Sequence, residues 1–90
     1  MEEKFLQAVE AARVQAEKLG VRIRPIADMK AAHRVLSGHR ESDGFFQLAD
    51  KKRLDLTLEA IAVKKQFTAL FNDEEANNAL DRLLLNGYKF

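Results

Sequence analysis

The chain predicts an all-α fold: a compact single-domain bundle of four to five short helices over residues 1–90, the last two antiparallel. Three observations predict it. Leu56, Ala60, Val63, Phe67 and Leu70 recur at steps of four and three residues. That spacing lines one face of a helix and cannot stay on one face of a strand. Asn72-Asp73-Glu74-Glu75 follows at once, a capping residue with a glutamate three positions on. The two alternating stretches, residues 21–24 and 54–58, are short, and the first has no convincing strand to pair with.

The elements follow in order. A first helix is expected over about 3–19, with Phe5, Ala8, Val9, Ala12, Ala16 and Leu19 on one face. Glu10, Arg13 and Glu17 are spaced as favourable neighbours on its outer surface. Gly20 supplies a left-handed stop. Val21-Arg22-Ile23-Arg24 then reads as an extended connector, with Val21 and Ile23 inward and both arginines in water. Pro25 suits a helix start, and a second helix is expected over about 26–37, carrying Ile26, Met29, His33 and Leu36 on one face and ending at Gly38.

Residues 39–44 form the most polar stretch and the clearest loop. Ser42 or Asp43 is expected to cap a short third helix bearing Phe45, Leu48 and Ala49. Lys51-Lys52-Arg53 closes it, where cations suit the dipole. The fourth helix is expected over about 56–71, capped by Asp55. It carries a second stripe of Leu58, Ile61, Ala62 and Ala69 that makes it central. The fifth, over about 73–86, buries Ala76, Ala79, Leu80, Leu83 and Leu84. Gly87 ends it, and Tyr88 folds back onto Leu83.

Composition bounds the class. With 47% hydrophobic and 32% charged residues the chain is globular rather than disordered. It has no cysteine, which excludes disulfides and thiolate zinc sites and fits a reducing compartment. No apolar run approaches the roughly 20 residues that span a bilayer, and the acidic start lacks the basic-then-apolar form of a secretory signal. A cytoplasmic location is expected. The net charge is +1, unevenly spread. Residues 1–12 carry −2. Residues 13–53 hold ten Lys or Arg against five acids, and residues 54–90 carry −2. Packing of the basic middle against the acidic ends is the expected reason.

No catalytic constellation stands out, and no enzymatic activity, cofactor, metal or small-molecule substrate is expected. His39, Ser42 and Asp43 share a loop, but no nucleophile-elbow motif frames Ser42. His33 sits inside an apolar stripe and reads as a neutral histidine bonded to a backbone carbonyl. A metal site would need more ligands than His33 and His39 supply. Asp73, Glu74 and Glu75 lack the alternating ligands and turn glycine of a calcium loop and read as helix-start carboxylates.

The residues from Leu80 to Phe90 resemble the end of a recognition helix in a helix-turn-helix. Yet that helix begins with three acids, which would meet phosphates with like charge. Leu6, Val14, Val35, Phe46, Leu85 and Phe90 fall off the helix stripes, and a cluster of such residues would make an interaction patch.

The sequence therefore predicts a small protein-interaction or accessory domain that binds a protein partner or itself. Phe46, Arg40, Lys51, Lys52 and Arg53 are the expected contact residues. The alternative is nucleic-acid binding through the basic segment 22–53, by Arg22, Arg24, Lys30 and Arg34.

Overall fold

The computed structural model describes residues 1–88. Among them the chain forms helices α1 (Glu2–Lys18), α2 (Met29–Ser37), α3 (Phe45–Asp50), α4 (Leu58–Ala62) and α5 (Asp73–Leu85), with 3-10 turns at Leu54–Leu56 and Thr68–Leu70 and no strand. The fold is all-α. Phe90, one of the off-stripe residues, lies outside the described residues.

α1 buries Phe5, Val9, Ala12 and Ala16. Glu10 bonds Arg13 at 2.6 and 2.8 Å, and Arg13 reaches Glu17 at 3.6 Å. The helix ends in a paired closure: the Val21 N–H donates to Ala16 O and the Gly20 N–H to Glu17 O. Gly20 takes φ +86° to permit it. Leu19 is half exposed, and Val21 provides the apolar contact instead.

The expected start of α2 at Ile26 is wrong by three residues. Asp28 Oδ1 accepts from the Ala31 N–H at 2.9 Å, so the cap sits there, and residues 21–27 form no helix. α3 is capped by neither Ser42 nor Asp43. Gly44 holds the cap position with φ +74°, and both polar side chains are engaged elsewhere. At the far end Lys52 takes φ +60°, while the Arg53 N–H bonds Leu48 O and the Lys52 N–H bonds Ala49 O. This is the closure a glycine ordinarily makes.

The single helix expected over 56–71 is three pieces. Thr57 has extended backbone. Its Oγ1 donates to Leu54 O at 2.7 Å and accepts from the Ala60 N–H at 3.1 Å. One hydroxyl thus closes the 3-10 turn and caps α4. Asp55 pairs with Arg53 instead, at 3.1 and 3.2 Å. Beyond Ala62 the chain winds tightly past exposed Lys64 and Lys65, whose charges suit a helix C-terminus. That winding sets Phe67 and Phe71 edge-on to Phe5, at centroid distances of 5.4 and 5.1 Å.

All five residues of α4 are buried, and α4 packs against α1, α5 and the preceding 3-10 turn. It is the central element. Asn72 and Glu75 form a reciprocal capping box at the start of α5. At its end the Tyr88 N–H bonds Leu83 O and the Gly87 N–H bonds Leu84 O, as the sequence predicts. Leu84, expected inward, is exposed, and Glu75 and Arg82 take buried positions beside Ala79 and Leu83.

The basic middle meets the acidic ends through two local charge pairs among the described residues, Arg13 with Glu10 inside α1 and Arg53 with Asp55 two residues on. Arg13 with Glu17 and Arg24 with Asp43 pair within the middle itself. Among the described residues its remaining lysines and arginines form no ion pair.

Candidate functional site

Loop 38–44 is short and polar, yet it is pinned at several points. The Ser42 N–H donates to Glu59 Oε2 at 2.9 Å, and its hydroxyl donates to Oε1 at 2.5 Å. Glu59 is wholly buried on α4. Its counter-ion is Arg82 of α5, 3.2 Å away. The Arg82 guanidinium also donates to Gly38 O at 2.7 Å and Val35 O at 3.3 Å. A buried charge is tolerated when it is paired and hydrogen-bonded, and here no buried side-chain polar atom among the described residues lacks a partner.

On the other side Asp43 accepts from both the Arg24 N–H (3.2 Å) and the Arg24 side chain (3.0 Å). Those bonds hold the Asp43 carboxyl below its ordinary range. Gly44 completes the fit. A Cβ there would lie 2.8 Å from Val21 Cγ1 and 3.0 Å from Ile23 Cγ1.

A cleft opens on each side of this loop. One is lined by Arg22, Arg40, Phe45, Phe46 and the loop itself. Phe46 is 56% exposed, and its ring stands edge-on to that of Phe45 at 5.5 Å. The other cleft, of about 490 Å³, has an apolar floor that includes Ile23, Ile26, Val35 and Leu58, with Arg13, Arg24 and Arg40 among its polar rim. Arg40 belongs to both.

The two sets of expected contact residues are thereby reshuffled. Arg40 and Phe46 come together with Arg22, and Arg24 joins them across the loop. Lys52 lies apart, in a shallow depression with Leu54, Asn86 and Tyr88. Arg53 is occupied by Asp55. Lys51 is exposed at the end of α3, and Lys30 and Arg34 are exposed on α2. None of these three lines either cleft.

His39, Ser42 and Asp43 do not form a relay. Ser42 serves Glu59, Asp43 serves Arg24, and His39 faces a different depression beside Asp81 and Leu85. His33 bonds a carboxylate rather than a backbone carbonyl. Its Nδ1 lies 2.8 Å from Glu75 Oε2, and its ring meets Phe71 edge-on at 5.2 Å. A carboxylate only accepts, so Nδ1–H is the donor. No group of three or more metal-ligating side chains converges among the described residues, and no described helix is long and apolar enough to cross a membrane.

Sequence reasoning missed Glu59 and Arg82, and it gave Glu75 its capping role but not its bond to His33. A signal was present. Glu59 falls three residues after Leu56 and four before Val63, and Arg82 falls three after Ala79 and seven after Glu75. Each charge therefore sits inside a helical apolar stripe. Comparison with protein-family models, with curated proteins and with solved structures finds no match.

Proposed function

We propose that the chain is a small protein-interaction module, binding an acidic partner surface or a second copy of itself through the face built by Arg22, Arg40 and Phe46. The observation that carries this reading is an exposed aromatic ring set in one cleft with two guanidiniums that form no ion pair among the described residues. Aromatic and arginine side chains are the usual energetic anchors of protein interfaces. The ring rests on Phe45, which is buried, so a partner would meet a rigid anchor rather than a mobile one. The loop between them is tied down by Glu59 and Arg24, which lowers the ordering cost of association. The reading assigns no catalytic role and no cofactor, and it places the module in the cytoplasm, which the cysteine-free composition fits.

A second reading rests on the same ring. An exposed Phe flanked by arginines also suits a single-stranded nucleic acid, with a base stacked on the ring and phosphates on the cations.

Two measurements test the pair. A photo-crosslinking residue at Gln47, beside Phe46, is expected to give one discrete protein adduct or a crosslinked dimer that Phe46→Ala and Arg40→Glu abolish. Sedimentation equilibrium separates self-association from binding another chain. Absence of any adduct sensitive to those substitutions overturns the first reading. Micromolar, salt-sensitive binding of a random single-stranded oligonucleotide, lost in Phe46→Ala, would put the second in its place.

A further inference from the structure

The cleft on the α1 side of loop 40–44 differs in kind from the Phe46 face. Val9, Leu56 and Leu58 are nearly buried at its base, and Ile23, Ile26 and Val35 are half-buried around them. These residues come from α1, the connector, α2, the 3-10 turn and α4. The hollow is therefore a product of tertiary packing. Its volume of about 490 Å³ lies among sites that enclose small organic ligands, about 300–1,000 Å³.

Its polar groups stand at the rim, and most are occupied. Arg24 and Asp43 hold each other at 3.0 Å. Arg13 is held by Glu10 and Glu17. Ser42 is held by Glu59. Two charges remain without an ion pair or hydrogen bond among the described residues, Arg40 and Glu41. With Arg13 neutralised by its two glutamates and Arg24 by Asp43, the free charges are one of each sign, an exposed Arg40 and a half-buried Glu41.

We propose that this cleft binds a small amphipathic organic anion, an aliphatic carboxylate, with its chain on the apolar floor and its head group on Arg40. Burial of the chain supplies affinity in proportion to apolar area. The guanidinium supplies charge-assisted bonds to the carboxylate in a planar, two-toothed geometry. Glu41 opposes the head group and limits the affinity. The Arg24–Asp43 bond ties the connector to the loop across the rim, which favours a short ligand over a peptide threading through. The cleft shares Arg40 with the Phe46 face but needs neither Phe46 nor Arg22.

The test is a titration of the full chain with decanoate, below its micelle concentration, followed by backbone amide NMR. Decanol and decyltrimethylammonium serve as neutral and cationic comparisons. Saturable shifts are expected at Val9, Ile23, Ile26, Val35 and Leu58. Arg40→Gln is expected to weaken decanoate about tenfold and leave decanol unchanged. Glu41→Gln tightens decanoate, Val35→Trp fills the hollow and abolishes binding, and Phe46→Ala changes nothing. Arg40 and Glu41 lie on the surface, so their variants fold whatever Val35→Trp does. The proposal is overturned if decanoate gives no saturable shifts at the floor, if the cationic analogue binds as tightly, or if Arg40→Gln leaves decanoate affinity intact.

Discussion

Arg82 and Glu59 meet at 3.2 Å with side chains only 9% and 0% exposed. Desolvation makes such a pair a poor source of net stability, yet removing one member leaves the other charged and alone inside. Glu59→Leu and Arg82→Leu are each expected to cost about 3–5 kcal/mol. The double replacement is expected to recover only part of that loss, because Ser42, Gly38 and Val35 also lose their partners. Urea denaturation of the four proteins gives the coupling directly. Equal and additive losses would show that the ion pair is not what the two residues share.

Lys52 holds φ +60° at the end of α3, a position where a side chain is strained and glycine is not. Lys52→Gly is expected to raise the unfolding free energy by about 1 kcal/mol. Chemical denaturation reads the sign, and a loss of stability would contradict the strain argument.

Gly44 and Gly20 separate two causes of glycine preference. Both have positive φ, but a Cβ at Gly20 meets open space, whereas one at Gly44 lies 2.8 Å from Val21. Gly20→Ala is expected to cost about 1 kcal/mol from backbone strain alone. Gly44→Ala adds overpacking, about 1–3 kcal/mol more. Thermal melts of the two variants should therefore differ clearly, and matching melting temperatures would refute the steric contribution.

The Arg24 side chain, and then its backbone N–H, hold the Asp43 carboxyl below its ordinary value of 3.8. A carboxyl lowered in the folded state contributes stability above its unfolded pKa and loses it as pH falls through the folded one. The loss therefore lies on the acid side of 3.8. Both side chains are well exposed, so solvent screening keeps the contribution within about 0–1 kcal/mol. An NMR titration of the Asp43 carboxyl should show a lowered midpoint that moves up in Arg24→Gln. The same midpoint in both proteins would refute the pairing.

Periodicity and caps were readable from the chain. Phe5, Val9, Ala12 and Ala16 fell where a period of 3.6 put them, and the Asn72–Glu75 box and the Gly87–Tyr88 closure formed as local chemistry dictates. These depend on residues within one or two turns. The break at Thr57 was not readable, because its hydroxyl serves two backbone groups and outcompetes the longer stripe. The candidate site was half legible. Arg22, Arg40 and Phe46 stood out by residue type, but their meeting depends on loop 38–44. That loop is set by Glu59 and Arg82, whose places in apolar stripes are visible in the sequence but whose pairing between two helices is not.

The Arg82 side chain reaches back 23 residues to Glu59, 44 to Gly38 and 47 to Val35. α5 must therefore leave the ribosome before the α4 carboxylate gains its counter-charge. A nascent fragment ending earlier carries an acid that resists entering any interior. Closure of the core around Glu59 should accordingly wait until α5 emerges.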